Sequence, residues 1–213
     1  MEIVKQTQDS TCSLEDTLIN RGLVNVQSID PRIKVNLRYS SINNFLRTDM
    51  YGCLNKAYFQ NETAHKLAQA QEYLTVIDSN LSLLIWNGVR PRSIQRQMWN
   101  SLDMPFKEKV RYVSNPKNGS IHNYGCAVDL TICEQDGKLL DMGSDFDYFG
   151  PAANTNREYM LMTDSILNFI QFDNRKLLRT VMIRAGFSTI SSEWWHFNWM
   201  SRYEASRKYA IIE

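Results

Sequence analysis

Two short segments of the chain place histidine and carboxylate side chains beside apolar residues, a combination that can bind a metal ion. The first, residues 120–129, contains His122 and Asp129. Asp129 falls inside the apolar run 127–130, where a lone carboxylate would be costly to bury without a partner. Gly125 lets the backbone turn, so that His122 can fold back towards the strand that carries Asp129. The alternative is a surface histidine and a solvated carboxylate.

The second segment is Glu193-Trp194-Trp195-His196-Phe197. In a regular strand, residues three apart point to opposite faces. Glu193 and His196 can therefore serve one centre only if a bulge or turn lies between them. The alternative is a tryptophan-rich core strand that carries an accidental ion pair.

Together the two segments predict a catalytic zinc site with one Zn²⁺ per chain. His122, Asp129 and His196 give three protein ligands, and a fourth position left to water is typical of catalytic rather than structural zinc. Zinc lowers the pKa of such a water towards neutrality, and Glu193 can then accept its proton and pass it on. His65, the third histidine of the chain, lies on a predicted helix and is interpreted as structural or exposed.

A third candidate is Arg90 in the run Asn87-Gly88-Val89-Arg90-Pro91-Arg92-Ser93. Amide hydrolysis through a tetrahedral intermediate builds negative charge on oxygen, and a fixed guanidinium can stabilise that charge. Arg90 directly follows a predicted buried strand, where its backbone is rigid. For both Arg90 and Arg92 the alternative is a surface ion pair.

The elements that must position these residues mix strands and helices without regular βαβ alternation. The alternating or apolar segments 24–29, 33–39, 81–86, 126–133, 187–190 and 194–199 predict strands, with 138–142 as a returning strand after the Asp136-Gly137 turn. Helical spacing predicts helices over 62–80 and 174–185, capped by Asn61 and Gly186. We expect an α+β fold with a central, mostly antiparallel sheet and flanking helices.

Length and composition indicate one globular domain over residues 23–213, preceded by a loose arm over residues 1–22. The chain has 213 residues, 43% of them hydrophobic, and a formal net charge of +1, which gives no electrostatic reason for a nucleic-acid partner. No apolar run reaches the roughly 20 residues of a membrane span. No signal segment is apparent, so the sequence as written predicts a cytoplasmic protein, or a periplasmic one if a leader has been removed. The four cysteines are interpreted as buried or neutral thiols.

An ordered set of motifs resembles the zinc D-alanyl-D-alanine dipeptidases, including those that confer vancomycin resistance. The resemblance runs from about Val35 to about Trp199, and the set is specific although no single motif is. The motifs are Trp86-x-Gly88-x-Arg90-Pro91, Ser120-x-His122-x-x-Gly125-x-Ala127-x-Asp129-Leu130-Thr131, Met142-Gly143-Ser144-x-Phe146-Asp147, Asn174-Arg175-x-x-Leu178-Arg179 and Glu193-Trp194-Trp195-His196.

This resemblance implies hydrolysis of D-Ala-D-Ala to two D-alanines in cell-wall precursor metabolism. The zinc ligands and the base are those proposed above, and Arg90 stabilises the oxyanion. Ser120 and Asp147 match residues that hold the free amino end of the dipeptide, and Tyr39 matches another pocket residue. For Asp147 the alternative is a solvated loop acid, and for Tyr39 a packed aromatic.

The sequence departs from the family around the pocket, at Val89, in the longer loop 115–119 and after Asp147. Three alternatives therefore stay open. One is a zinc D,D-carboxypeptidase or endopeptidase that acts on longer peptidoglycan stems. The others are a non-catalytic zinc-holding module that binds wall fragments and a metal-free binding domain. The sequence leaves the oligomeric state and the biological role open.

Overall fold

The computed structural model describes residues 12–213. The helices are α1 Ser13–Asn20, α2 Val26–Ile29, α3 Asn61–Ile77, α4 Arg92–Ser101, α5 Phe106–Lys109, α6 Glu158–Thr163, α7 Phe169–Arg184 and α8 Arg202–Lys208. The strands are β1 Val24–Asn25, β2 Lys34–Val35, β3 Tyr58–Phe59, β4 Leu81–Asn87, β5 Ala127–Glu134, β6 Ser188–Thr189 and β7 His196–Asn198. Short 3-10 helices span Arg38–Ser40, Ile121–Tyr124 and Pro151–Ala153.

A five-stranded sheet in the order β2-β4-β5-β7-β6 forms the centre of the fold. Strand β2 runs parallel to β4, and the remaining neighbours are antiparallel. Every residue of β4 is buried, as expected for an apolar run covered on both faces. Helix α3 packs against β4 and against α7, whereas β1 and β3 form a separate two-stranded sheet. The predicted α+β class with a mostly antiparallel sheet is confirmed.

Both long helices lie close to their predicted positions. Helix α3 buries Ala64, Leu67 and Leu74 along one face, as the helical spacing requires. Helix α7 begins five residues before the predicted start at residue 174, because Asn168 and Gln171 cap its first turn with reciprocal hydrogen bonds.

Five predicted strands are shorter than the pattern suggested, and 187–190 and 194–199 are reduced to β6 and β7. Within residues 24–29, the side chain of Asn25 accepts a hydrogen bond from the Gln27 backbone and starts helix α2 after a two-residue strand. Within 33–39, β2 ends at Val35 and the chain continues into a 3-10 helix. The predicted strand 138–142 is reduced to an isolated bridge between Leu139 and Cys133. The alternation of apolar and polar residues within one segment does not show where its pairing with another strand ends.

The predicted loose arm is wrong for residues 12–22, whereas residues 1–11 lie outside the described part of the chain. Helix α1 buries Leu18 completely, and a disulfide joins Cys12 to Cys53. The interpretation of four free thiols is therefore wrong for this pair. Cys126 and Cys133 are free and buried, as predicted. Between residues 12 and 213, no helix combines the length and the apolar character needed to cross a membrane.

Candidate metal centre and active site

Strand pairing brings Asp129 and His196 together. The two residues lie directly opposite each other on the antiparallel strands β5 and β7, so both side chains leave the sheet on the same face. His122 reaches this face from the 3-10 helix Ile121–Tyr124, which Gly125 ends with a left-handed φ of 70° before β5 begins. The predicted backbone turn at Gly125 is present.

Three potential ligand atoms converge at this point. Oδ1 of Asp129 lies 2.9 Å from Nδ1 of His196, and Oδ2 lies 3.3 Å from Nε2 of His122. The two imidazole nitrogens are 3.2 Å apart. One ligand atom from each residue lies within 4.8 Å of the others, so the group could hold a metal ion.

Outer partners orient these side chains, as they do in metal sites generally. Nδ1 of His122 lies 2.8 Å from the carbonyl oxygen of Gly88, and Nε2 of His196 lies 2.8 Å from Oδ1 of Asn198. Each of these nitrogens faces an acceptor and therefore donates a proton. The opposite nitrogen of each ring then presents a lone pair to the common point.

Two ring nitrogens and a carboxylate placed this close together favour binding of a cation between them. Burial opposes ionisation of Asp129, yet the two neighbouring imidazoles hold its pKa well below the usual range. Burial lowers the pKa of His122. Burial also opposes protonation of His196, but its hydrogen bond to the Asp129 carboxylate, the charges of Asp129 and Glu193 and the bond to Asn198 together raise its pKa. The chemistry of the donor set thus fits a divalent metal with imidazole and carboxylate ligands, such as zinc.

Sequence reasoning did not identify two of the supporting residues. Nδ2 of Asn87 donates to Oδ2 of Asp129 at 2.8 Å, and Asn198 is the partner of His196 described above. The position of Asn198 could have identified it, because it lies two residues after His196 and so shares its strand face. Asn87 ends the buried strand β4, and no sequence pattern indicated that its side chain would face Asp129.

Glu193 lies beside the metal centre in the turn that precedes β7. Its Oε2 is 3.9 Å from Nδ1 of His196, and its side chain keeps 30% of its exposure. Burial raises the pKa of this carboxyl, the direction expected for a group that must take up and release a proton. The predicted turn between Glu193 and His196 is present, because β7 begins only at His196.

Arg90 is buried and held by its backbone against the helix that carries His122. Its backbone N–H donates to the carbonyl oxygen of His122 at 3.1 Å, and its own carbonyl accepts from Nδ2 of Asn123 at 2.6 Å. The guanidinium carbon lies 5.3 Å from the centre of the Tyr39 ring. Its Nε has no hydrogen-bond partner within residues 12–213. A fixed charge of this kind suits an oxygen that becomes negative during a reaction.

Asp147 and Tyr39 form a second polar group beside Arg90. The Tyr39 hydroxyl donates to Oδ2 of Asp147 at 3.0 Å, and Asp147 has a left-handed φ of 58°. Burial, reinforced by the charge of Asp129, raises the pKa of Asp147 to about 8. The hydroxyl of Ser120 donates to Oε1 of Gln95 at 2.7 Å, so its oxygen remains free to accept.

One cavity of about 230 Å³ brings all the predicted site residues together. Its walls include the three candidate ligands, and the other five predicted residues are Tyr39, Arg90, Ser120, Asp147 and Glu193. Sequence reasoning did not identify the rest of the wall, which includes Arg111, Tyr112, Phe149, Ile190 and Arg202. Most of these residues lie in or beside the segments that depart from the family pattern, so no motif marked them.

Comparison with known proteins assigns the chain to a family. Residues 19–210 match the model of the peptidase family M15, described as D-Ala-D-Ala dipeptidase. The D-alanyl-D-alanine dipeptidase of Escherichia coli (strain K12) is 32% identical over 178 residues, which cover 82% of this chain and 83% of that protein. The enzyme of the same name from Enterococcus faecium is 27% identical, with 83% and 90% covered.

Among solved structures, the LD-carboxypeptidase LdcB is 16% identical with a TM-score of 0.44, covering 70% of this chain and 63% of that one. The assignment comes from the family match and the sequence relatives, which together span most of the chain. The chain is therefore a peptidase and belongs to family M15, the family of the D-Ala-D-Ala dipeptidases.

Proposed function

We propose that this peptidase is a zinc-dependent dipeptidase that hydrolyses free D-Ala-D-Ala to two D-alanines in cell-wall precursor metabolism. The relatives of that name support the substrate, and the converging donor set of His122, Asp129 and His196 supports the metal. Zinc held there would lower the pKa of the attacking water to about 7 and polarise the scissile carbonyl. The protein contributes the three ligands and the hydrogen-bond partners that orient them.

Glu193 and Arg90 carry out the steps that belong to the protein itself. Glu193 takes the proton of the attacking water, and its raised pKa lets it hand that proton to the departing amine. Arg90 faces the cavity with a buried positive charge and stabilises the negative oxygen of the tetrahedral intermediate. Both groups lie on the cavity that contains the metal ligands.

The environment of Asp147 is the observation that supports a preference for a free dipeptide. Its carboxyl lies on the cavity wall with the Tyr39 hydroxyl as its hydrogen-bond partner within the described chain. A substrate ammonium beside Asp147 would supply a positive charge that favours the ionised form of its carboxyl. An N-blocked substrate would leave this acid without a cation, so a free amino end is favoured. The oxygen of Ser120 is an additional acceptor for the ammonium.

One observation favours the alternative of a carboxypeptidase or endopeptidase that acts on longer stems. A second cavity of about 600 Å³ shares part of its wall with the first, including Arg111, Phe149, Ile190 and Glu193. The cleft therefore continues beyond the metal centre. A non-catalytic wall-binding module is less favoured, because such a module needs no proton acceptor in the position of Glu193.

Substrate length and end groups discriminate these functions. Zinc-loaded protein is incubated with free D-Ala-D-Ala, with N-acetyl-D-Ala-D-Ala and with a stem pentapeptide that ends in D-Ala-D-Ala, and released D-alanine is counted. The proposal predicts release from the free dipeptide alone. Release from the pentapeptide at an equal or greater rate would establish the alternative instead. Bound zinc with no D-alanine released from any substrate would identify a binding module.

A further inference from the structure

The strand order of the sheet bears on where two charged residues, Asp147 and Arg202, lie relative to the metal centre. Tyr39, which bonds Asp147, follows the edge strand β2. The centre itself lies further along, where β5 meets β7. Arg202 comes after β7 at the start of α8, a helix that packs against the 3-10 helix carrying His122. Because β2 and β7 lie on either side of β4 and β5, the strand order favours an approach of Asp147 and Arg202 to the cavity from different sides of the centre.

A dipeptide imposes the same order of charges. Its ammonium and its carboxylate lie on opposite sides of the scissile peptide bond. With the ammonium at Asp147 and the scissile carbonyl at the metal centre, the carboxylate must point towards the β7 side. A guanidinium is the group best suited to bind it, because its planar donors match the two oxygens of a carboxylate.

Arg202 is available for this role. Its side chain lines the cavity, and it forms no hydrogen bond or ion pair with another residue in the part of the chain that the structure describes. The nearby carboxylate of Glu204 accepts from the backbone and the hydroxyl of Ser201, which caps the helix. The neighbouring cation Arg207 instead donates to the hydroxyl of Tyr203.

Arg111 is the other exposed guanidinium on the cavity wall, but its position fits the carboxylate less well. It also lines the second cavity together with Tyr148, Phe149 and Gly150, which directly follow Asp147. Arg111 therefore borders the extension of the cleft beyond the metal centre, which Arg202 does not line.

Resting on the proposed dipeptidase function, we propose that Arg202 binds the carboxylate of the substrate and makes the enzyme specific for a free C-terminal end. The residue acts on binding rather than on the chemical step, because the carboxylate is the same in the ground state and the transition state. Its removal raises KM and leaves kcat nearly unchanged.

The test compares Arg202→Met with the matched variants Arg207→Met and Arg111→Met in the zinc-loaded enzyme. Substrates are D-Ala-D-Ala and its C-terminal amide, which lacks the negative charge. For Arg202→Met we expect KM for D-Ala-D-Ala to rise at least about tenfold, with kcat within about twofold. The amide should be a poor substrate of the native enzyme, and Arg202→Met should leave its KM unchanged. Arg207→Met should behave as native.

A binding measurement gives a readout independent of turnover. Calorimetric titration of D-Ala-D-Ala into Glu193→Gln protein should give a Kd that rises by a similar factor when Arg202→Met is added. An unchanged KM and Kd would overturn the proposal. So would an equal loss with both substrates, or a rise specific to the dipeptide in Arg111→Met. If the native enzyme releases no D-alanine, the dipeptidase function itself fails and this inference falls with it.

Discussion

At the residue scale, three carboxyl groups on one cavity acquire three different proton affinities. Asp129, between two imidazoles, has a pKa well below its usual range. Glu193 has a raised pKa because it is buried, and burial raises the pKa of Asp147 to about 8. Environments that separate similar groups in this way assign them different tasks. In the proposed mechanism the tasks are those of a metal ligand, a proton acceptor and an ammonium partner.

Replacing Glu193 tests its role as proton acceptor. For Glu193→Gln we expect kcat on D-Ala-D-Ala to fall by about 10²–10⁴-fold, the usual contribution of a general base. Zinc content should stay at one per chain, because Glu193 is not among the converging ligands. Both are measurable by D-alanine release and elemental analysis. Glu134→Gln, at the far end of β5, is the matched control. Near-native turnover of Glu193→Gln would remove this residue from the mechanism.

Asp147 gives a prediction about stability and pH in metal-free protein. Its folded pKa of about 8 lies above the ordinary value of 3.8, so the folded state binds this proton more tightly than the unfolded state. The resulting stabilisation is present below about pH 4 and is lost as pH rises to 8. The amide side chain of Asp147→Asn cannot lose a proton. The Tm of this variant minus the Tm of the native protein should therefore be larger at pH 8 than at pH 4.5.

Scanning calorimetry at the two pH values provides the measurement for Asp147→Asn. Asp136→Asn, in an exposed turn, is the matched control, and its Tm difference from the native protein should not change with pH. A Tm difference for Asp147→Asn that is equal at both values would show that Asp147 is ionised throughout in the folded protein.

At the element scale, the signals strong enough to be read from the sequence were those repeated over many residues. The long apolar runs predicted β4 and β5, and the helical spacing predicted α3. The pairing of β5 with β7, which sets Asp129 opposite His196, depends on contacts between segments more than 60 residues apart. No local pattern contains that information, although the shared motif order indicated that the two residues meet.

Gly125 is the element-scale residue on which the position of His122 depends. A Cβ there would lie 3.1 Å from the Gln60 backbone nitrogen and from the Leu23 side chain, and φ is 70°. Gly125→Ala should therefore lower stability by more than the roughly 1–2 kcal/mol of left-handed strain, and should weaken zinc binding. Gly137→Ala is the control, because its φ is 92° with open space around it.

Urea denaturation and zinc titration of both glycine variants give the comparison. Gly137→Ala should show the strain alone and native zinc affinity. Equal losses in the two variants would mean that the close approach of Gln60 and Leu23 does not position His122.

At the scale of the whole molecule, an aromatic cluster beside the cavity is the part that the sequence could not predict. Phe45, Tyr112 and Phe149 come from three separate loops and pack together, with the Tyr112 and Phe149 ring centres 4.3 Å apart. The motif residues were predictable because their chemistry is shared with the family, whereas the packing of these three rings depends on contacts between segments far apart in the sequence.

The Cys12–Cys53 disulfide also belongs to this scale, because it ties α1 to a loop 41 residues away. Closing a loop of that length restricts the unfolded chain, and its loss typically costs about 2–4 kcal/mol. A Cys12→Ser, Cys53→Ser double variant should lose that much free energy of unfolding in urea. It should keep native kcat, because neither residue lines the cavity. A stability equal to that of the oxidised native protein would contradict the bridge.

The central claim is that His122, Asp129 and His196 together hold one metal ion. An anomalous difference map collected at the zinc absorption edge from crystals of zinc-loaded protein tests it most directly. We expect one strong peak per chain at about 2.0–2.2 Å from His122 Nε2, His196 Nδ1 and a carboxylate oxygen of Asp129. A zinc peak bound elsewhere in protein that releases D-alanine, with these three side chains unliganded, would contradict it.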